Sequence, residues 1–360
     1  MKTNKKITQK LSLTLSALIL FVLCTVNITA SAHCKNSTIS KTFISEENLG
    51  QAMDSIVGPY ISSFESTGYF TGQNNVNIFY KKYVLPNPKG NVVISHGFTE
   101  YAEKYNELIY YFLQEGYSVF IAEHRGHGRS GHLGKVDSTQ VNVENNEYYI
   151  LDLKTFIDSV VKPNSKDKKL FLFGHSMGGG IAAKFAEEYP NYFSAVILTA
   201  PMLEIDTGST NALVARSLAN LMVNTGNGGK YVLGQSAFDG TYDFENSSTG
   251  SRARYDYTYN MVNNNAELQR GGASYNWLLQ CFRLTDYAVN NACKIKSPVL
   301  LFQAENDTMV KPGGQNTFAS KARNCELVKI SGGQHNLFRE SDDILLPYLQ
   351  KVMSFYNSNL

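Results

Sequence analysis

Cysteine is scarce in this chain, and its spacing excludes the simplest metal and redox motifs. The 360 residues contain 5 cysteines, and no two of them form a C-x-x-C pair, so neither a zinc site nor a redox centre is expected. Four of them, Cys34, Cys281, Cys293 and Cys325, lie beyond the apolar N-terminal stretch. In an oxidising compartment these four allow one or two disulfides in three pairings, and Cys281 and Cys293 are the pair nearest in sequence.

A charge excess of one sign is also missing. The chain has 33 Lys and Arg against 31 Asp and Glu, which gives a formal net charge of +2. Lys2, Lys5, Lys6 and Lys10 precede the apolar stretch, so residues 33–360 hold 29 basic and 31 acidic residues, a net charge of −2. No basic patch remains that would indicate a nucleic-acid partner.

The long apolar run lies at the N-terminus, between Leu11 and Val26, after the four lysines and before Ala30-Ser31-Ala32. A basic region, an apolar region and an A-x-A site in this order predict a secretory signal peptide over residues 1–32. Cleavage there would give an exported protein, secreted or periplasmic. The alternative is an uncleaved membrane anchor, for which the run is short because a spanning helix needs about 20 residues.

Internal repeats and long low-complexity tracts are absent, and apolar runs alternate with helical patterns. This alternation predicts an α/β fold with a mostly parallel sheet flanked by helices. Strands are predicted over 76–84, 91–95, 118–122, 169–173, 195–199, 298–303 and 326–330. Helices are predicted over 104–114, 148–161, 179–189, 212–223 and 275–286.

The alternation stops in a stretch rich in Asn, Gly, Ser and Tyr that runs from Pro201 to about Ala292. We interpret residues 201–292 as a cap inserted into the α/β core. The core then consists of residues 33–200 and 293–360.

The sequence "LFLFGHSMGGGIAAKF" at 170–185 contains a serine between a strand pattern and a helix pattern. Gly174-His175-Ser176-Met177-Gly178 fits G-x-S-x-G, the nucleophile elbow in which a tight strand-to-helix turn projects a serine out of the sheet. The glycines are needed because side chains at those positions would strike the neighbouring backbone. Ser176 is therefore the predicted nucleophile.

A triad on this fold follows the chain order Ser, then Asp or Glu, then His. Of the 7 histidines only His335 follows Ser176, in "ISGGQHNLF" after the last predicted strand, so it is the predicted base. Asp307 is the predicted acid because its loop follows the buried run "PVLLFQ", and Glu305 is the alternative.

The oxyanion of such a reaction needs two backbone N–H donors. One is expected from Met177, the residue after the nucleophile, and the second from Phe98 in the loop of "VVISHGFTE". His96 precedes the serine in sequence, so we expect it to brace this loop.

Two further motifs do not support a cofactor. His124, His127 and His132 in "AEHRGHGRSGH" have no nearby carboxylate or cysteine set to complete a metal site. "GNGGKY" at 226–231 lacks the first glycine and the Ser or Thr of a P-loop. We therefore expect no metal and no organic cofactor.

The motifs "HGFTEYAEKY", "EHRGHGRSG", "GHSMGGGIA", the Asp307 loop and "GGQHNLF" together resemble α/β-hydrolases of the monoacylglycerol lipase and bacterial lysophospholipase family, from about Gly68 to the C-terminus. "RGGASYNWL" at 270–278 resembles a cap segment of the lysophospholipase branch. The resemblance implies the same triad and oxyanion donors. It also implies that Glu100 and Lys104 face a polar head group, although arginine is common at the position of Lys104. Glu123 stands where the family usually has aspartate, which we interpret as a structural change.

The expected function is hydrolysis of carboxylic esters of single-chain lipids, a monoacylglycerol or a lysophospholipid, through an acyl-enzyme. Apolar residues of 212–223 and Trp277 are expected to line an acyl channel, and the cap to contact a membrane surface transiently. A small-ester carboxylesterase and an aminopeptidase remain alternatives on the same scaffold; Glu204, Asp206 and Glu245 could hold a free amine. A catalytically inactive binding protein is a further alternative. Head group, chain length and oligomeric state stay open.

Overall fold

The computed structural model describes residues 38–360, so the predicted signal peptide and Cys34 lie outside the described residues. The chain divides into two compact units, residues 1–43 and 44–360. The described part of the first unit contains the helix Thr38–Thr42. All features below belong to the second unit.

The second unit is built on an eight-stranded sheet. The strands are β1 Glu65–Thr71, β2 Asn77–Tyr83, β3 Gly90–Ser95, β4 Tyr117–Ala122, β5 Leu170–His175, β6 Ala195–Thr199, β7 Val299–Ala304 and β8 Cys325–Ile330. Their order in the sheet is β1-β2-β4-β3-β5-β6-β7-β8. The β1–β2 and β2–β4 pairs are antiparallel and all others are parallel. The predicted mostly parallel sheet is confirmed.

All seven predicted strands are present, and β1 was not predicted. Every residue of β3, β4, β5, β6 and β7 is buried, which produces the continuous apolar runs of a sheet covered on both faces. β1 lies at the sheet edge, and all seven of its residues are at least partly exposed. Its sequence "ESTGYFT" therefore lacks an apolar run.

Helices cover both faces of the sheet. The longer ones are α1 Asn106–Gln114, α2 Glu147–Phe156, α3 Met177–Glu188, α4 Ala212–Asn224, α5 Arg252–Asn263, α6 Tyr275–Asn291, α7 Pro312–Lys321 and α8 Asp342–Asn357. Alternate residues of β5 point to opposite faces. Leu172 belongs to the hydrophobic cluster that contains Ile181 of α3. On the other face, the ring centroids of Phe171 and of Tyr356 on α8 are 4.9 Å apart.

Residues 200–298 connect β6 to β7, and we call them the β6–β7 segment. They hold α4, α5 and α6, together with short 3₁₀ turns at Ala266–Leu268 and Ala292–Lys294. α6 packs against α4 and against α3 of the core. The sequence predicted α4 and α6 but not α5, and α6 continues five residues beyond the predicted end at Asp286.

Cys281, Cys293 and Cys325 are free thiols within residues 38–360. Cys281 is buried on α6, and Cys293 is exposed just beyond the end of that helix. The two cysteines are twelve residues apart, which is about 18 Å along a helix, and this distance is too long for a disulfide between them. None of the helices that the structure describes is both long enough and apolar enough to cross a membrane.

Candidate active site

Ser176 occupies a strained turn between β5 and α3. Its backbone has φ 52° and ψ −121°, a conformation that residues with a Cβ rarely adopt. A Cβ on Gly178 would lie 2.1 Å from the carbonyl oxygen of Ser95, and one on Gly174 would lie 2.8 Å from that of Gly178. Glycine is therefore required at both positions of the elbow, for the steric reason that the motif suggested.

The structure brings Ser176, His335 and Asp307 together. His335 Nε2 lies 2.7 Å from Ser176 Oγ, and His335 Nδ1 lies 2.8 Å from Asp307 Oδ2. An ionised carboxylate can only accept hydrogen bonds, so Nδ1 donates and Nε2 presents its lone pair to the serine hydroxyl. This arrangement suits removal of the hydroxyl proton.

The surroundings of Asp307 favour its ionised form. Its Oδ1 accepts from the N–H groups of Met309 and Val310, at 2.8 Å and 3.1 Å. Burial opposes the charge, but the hydrogen bond from His335 and these two N–H groups hold the pKa of Asp307 below its ordinary value.

Glu305, the alternative acid, lies away from the imidazole. Its exposed carboxylate accepts from Ser331 Oγ at 2.7 Å and from the N–H of Gly332 at 2.8 Å. Of the two candidates, the structure places Asp307 at His335.

Met177 and Phe98, the predicted oxyanion donors, lie at the start of α3 and in the loop after β3. Met177 is the first residue of α3, where a backbone N–H has no acceptor within the helix. Phe98 belongs to the loop after β3. The close approach of Gly178 to the carbonyl oxygens of Ser95 and His96 shows that this loop packs on the start of α3. Their role as donors stays a prediction.

The histidines near this loop are buried braces. His96 Nε2 accepts from the N–H of His124 at 2.7 Å, which joins the loop after β3 to the turn after β4. His124 Nε2 lies 2.9 Å from Ser95 Oγ, and His127 Nδ1 lies 3.1 Å from the carbonyl oxygen of Arg125. Among the described side chains, no group of three or more His, Cys, Asp or Glu is placed to hold a metal ion.

Glu100 lies in a buried polar network rather than on an open wall. Its carboxylate accepts from the N–H of Gly97 at 2.6 Å, Tyr105 Oη at 2.5 Å and Lys104 Nζ at 2.6 Å. Burial opposes the charge, but Lys104 and His175 hold the pKa of Glu100 well below its ordinary value. These contacts position the Phe98 loop, and the head-group role that the resemblance implied for Glu100 stays untested.

His175 was missed by the sequence reasoning, although it is the variable residue before Ser176 in the elbow motif. Its Nδ1 lies 3.1 Å from a carboxylate oxygen of Glu100, and its Nε2 lies 3.2 Å from the carbonyl oxygen of His335. His175 therefore links the Phe98 loop to the loop of the candidate base. Its position at the carboxyl end of a central strand was the available signal.

Glu123, which replaces the usual aspartate, is fully buried and accepts from the N–H of Ala102 at 3.1 Å and that of Arg129 at 2.6 Å. Its carboxylate also pairs with the Arg129 guanidinium. These contacts agree with the structural interpretation of this residue.

Trp277 borders an apolar cavity of about 240 Å³. The cavity lies between α4, the start of α6 and residues 232–235, with Ala215, Leu218 and Leu278 in its wall. The Trp277 ring also contacts the ring of Phe98, with centroids 4.4 Å apart. Trp277 therefore contacts a predicted oxyanion donor and also forms part of the wall of the apolar cavity.

A second cavity, of about 260 Å³, is lined mainly by residues with polar side chains, and we call it the polar cavity. Its wall includes Thr99, Lys104, Asn336 and Arg339, together with residues from α5. Thr99 follows Phe98 and Asn336 follows His335 in sequence, so the polar cavity adjoins the same site. Neither α5 nor Arg339 was singled out from the sequence.

The carboxylates considered for amine binding are largely engaged elsewhere. Glu204 accepts from the N–H of Gly314 at 2.7 Å, at the start of α7. The side chain of Glu245 is 83% exposed and pairs with Arg252. Asp206 borders the apolar cavity, with its Oδ1 3.6 Å from the ammonium of Lys311.

Comparison with known proteins supports one family. The model of the family described as "Serine aminopeptidase, S33" matches residues 86–342. The probable lysophospholipase L2 of Haemophilus influenzae is 24% identical over 301 residues, which are 83% of this chain and 94% of that protein. Monoglyceride lipase of Mus musculus is 25% identical over 277 residues, 76% of this chain and 84% of its own.

A solved structure supports the same fold. A soluble variant of monoglyceride lipase from Saccharomyces cerevisiae, in complex with a substrate analog, superposes with a TM-score of 0.65 at 20% identity. The match covers 82% of this chain and 94% of the yeast chain.

Proposed function

This chain belongs to the family described as "Serine aminopeptidase, S33", and we propose that it hydrolyses carboxylic esters of single-chain lipids through an acyl-enzyme. The α/β-hydrolase fold and the resemblance to monoacylglycerol lipases and lysophospholipases, both predicted from motifs, are confirmed. The observation that carries the proposal is the hydrogen-bonded series Ser176–His335–Asp307 at a strand-to-helix elbow.

In the proposed reaction Ser176 Oγ attacks the ester carbonyl while His335 Nε2 takes the hydroxyl proton. Asp307 keeps the proton on Nδ1 and stabilises the imidazolium. The N–H groups of Met177 and Phe98 donate to the oxyanion. When the intermediate collapses, the C–O bond to the alcohol breaks and His335 returns the proton to the departing oxygen. Water then repeats the attack on the acyl-enzyme and releases the fatty acid.

The apolar cavity supports a lipid acyl group. Trp277 contacts Phe98, so a chain whose carbonyl lies between the proposed oxyanion donors and Ser176 has an apolar space beside it. We propose that the β6–β7 segment acts as the cap over this end of the sheet.

The exposed apolar side chains of α4 support transient contact with a membrane surface. Leu213 is 73% exposed, and Val214 and Leu221 are each 58% exposed. The N-terminal sequence supports export after cleavage near Ala32. A single lipid ester is the only partner that this reaction needs.

Replacement of Ser176 by Ala tests the proposal. We expect loss of ester hydrolysis on the order of 10⁴-fold or more and loss of labelling by a fluorophosphonate probe. Thermal unfolding and circular dichroism should stay those of a folded protein. Full probe labelling of Ser176→Ala would show that another residue is the nucleophile.

A substrate panel separates the alternatives on this scaffold. It comprises monoacylglycerols, lysophospholipids, short nitrophenyl esters and aminoacyl amides. Turnover of aminoacyl amides above lipid esters would favour the aminopeptidase, with Asp206 at the apolar cavity as the carboxylate to replace first. No turnover of any member by the wild-type protein would favour an inactive binding protein.

A further inference from the structure

The wall of the polar cavity carries positive charge only. Its charged residues are Lys104 and Arg339, and no Asp or Glu is among its lining residues. Eight of the lining side chains carry a hydroxyl group, including Tyr255, Thr258 and Tyr259 of α5. Thr249, Thr258 and Tyr259 already donate to backbone carbonyl oxygens. The two cations are therefore the groups of this wall that match the acceptor oxygens of an anion.

Arg339 is the unusual member of this wall, because it is 5% exposed and forms no salt bridge with any carboxylate that the structure describes. Its Nη2 donates to the carbonyl oxygen of Arg254 and to Thr258 Oγ1, the latter at 2.6 Å. These acceptors are a carbonyl oxygen and a hydroxyl group, and neither carries a negative charge. Buried guanidinium groups are normally paired, since an unpaired buried charge is costly.

Two buried carboxylates whose charges act on Arg339 already have other cationic partners. Glu100 pairs with Lys104 at 2.6 Å, and Glu107 pairs with Arg254 at 2.9 Å. Both carboxylates are buried, and neither lines the cavity. Burial lowers the pKa of Arg339, and the charges of Glu100 and Glu107 raise it, but neither carboxylate forms a salt bridge with it.

We propose that the polar cavity binds the phosphate group of a single-chain phospholipid. Arg339 is the main phosphate ligand, and Thr258 orients the Arg339 guanidinium. This inference rests on the proposed ester hydrolysis and chooses between its two substrate classes. Asn336 and Thr99 adjoin His335 and Phe98, so a head group here lies next to the ester, opposite the apolar cavity. The substrate is then a lysophospholipid rather than a neutral monoacylglycerol.

A matched pair of substrates tests the proposal: 1-octanoylglycerol and 1-octanoylglycerol 3-phosphate, which differ only in the phosphate, both below their critical micelle concentrations. The wild-type protein should have the higher kcat/KM for the phosphate ester. Arg339→Gln should lower that value about 10- to 100-fold, the loss expected for a charge-assisted hydrogen bond. The same variant should change kcat/KM for octanoylglycerol less than about threefold.

Arg252→Gln is the matched control, because Arg252 lies on α5, the helix of Thr258, and its side chain is 56% exposed and pairs with Glu245. This variant should leave kcat/KM unchanged for both substrates. Arg339→Lys, which keeps the charge, should recover part of the lost activity. An equal loss on both substrates in Arg339→Gln would overturn the phosphate site and leave the ester hydrolase proposal intact.

A measurement on the wild-type protein removes dependence on the folding of any variant. Glycerol 3-phosphate should inhibit octanoylglycerol hydrolysis competitively, and glycerol at the same concentration should not. Inorganic phosphate should inhibit more weakly, because it lacks the glycerol that leads to the ester position. Equal inhibition by glycerol 3-phosphate and glycerol would contradict the proposal, and equal inhibition by inorganic phosphate would indicate a free-anion site instead. Absence of hydrolysis of octanoylglycerol and of short nitrophenyl esters would refute the proposed function itself.

Discussion

The proposed site has two parts, which we call the core wall and the wall of the β6–β7 segment, and they are held in different ways. The core wall comes from the loops that follow the strands, and its catalytic candidates are buried and hydrogen-bonded, with His335 only 6% exposed. In the β6–β7 segment, the proposed cap, Ala219 is the buried residue of helix α4, whose Leu213 is 73% exposed. The hydrogen-bonded series at Ser176 is therefore fixed by the loops of the sheet, whereas α4 of the proposed cap is held more loosely.

The largest expected effect comes from the core wall. Asp307→Asn keeps the shape of the side chain but loses the carboxylate that holds the Nδ1 proton, so kcat should fall about 10⁴-fold. Glu305→Gln is the matched control and should change kcat only slightly. Steady-state kinetics on a short nitrophenyl ester measures both. The reverse ranking would make Glu305 the acid and would contradict the geometry at His335.

The next effect belongs to the wall of the β6–β7 segment. A buried CH₂ contributes about 0.8 kcal/mol, so four methylenes enclosed in the apolar cavity give up to about 100-fold in binding. We expect kcat/KM to rise from butanoyl to octanoyl esters, and Trp277→Ala to flatten this rise while the butanoyl rate changes little. Tyr69→Ala, at a residue that is 57% exposed on β1, is the control. A wild-type profile that peaks at acetate would favour the small-ester esterase.

Several buried polar groups of the described residues have no hydrogen-bond partner, and the carboxyl group of Glu187 is one of them. Glu187 of α3 is 3% exposed, and neither of its carboxylate oxygens has a hydrogen-bond partner among the described residues. Burial, together with the charge of Glu188, raises the pKa of Glu187 to about 9 from 4.5. The folded state then keeps a proton that the unfolded state releases, so stability falls as the pH rises from 4.5 towards 9.

Glu187→Gln should remove this pH dependence. The glutamine imitates the protonated acid, so the variant and the wild type should be equally stable near pH 4.5. At about pH 7 the variant should be more stable by about 2–3 kcal/mol. Urea unfolding at several pH values measures the difference, with the half-exposed Glu326→Gln as control. A constant difference at all pH values would mean that Glu187 is ionised in the folded protein.

The smallest effect concerns the exposed face of α4. Replacing Leu213 and Leu221 together by Ser should weaken binding to phosphatidylglycerol-containing vesicles several-fold, because less apolar area enters the interface. Hydrolysis of a soluble butanoyl ester should not change. Ile56→Ser, at a residue that is 49% exposed outside the β6–β7 segment, is the control in a vesicle sedimentation assay. Unchanged sedimentation of the double variant would remove α4 from the membrane proposal.

The core wall could be predicted from the sequence because its signals are local. Buried strands produce apolar runs, and the elbow, the Asp307 loop and His335 follow those runs directly. β1 was not predicted because it lies exposed at the edge of the sheet, and Gly68 interrupts its short strand pattern. The sheet and the residues at its carboxyl edge could therefore be predicted from the sequence.

The β6–β7 segment was less predictable because its contacts are distant in sequence. α5 has the sequence "RARYDYTYNMVN", in which few apolar residues mark a buried face. It is held by the fully buried Arg254, which pairs with Glu107, 147 positions away in the sequence. Arg339 could not be singled out either, since its lack of a carboxylate partner is a property of the folded arrangement.

The backbone of Ser176 has a consequence for how this protein can evolve. A residue with a Cβ at φ 52° raises the energy of the native state by about 1–3 kcal/mol, and glycine at the same place would relax it. Selection for thermal stability alone would therefore favour the loss of the serine. Under the proposed function, the hydroxyl group that turnover needs and the stability of the fold thus make opposite demands on this one position.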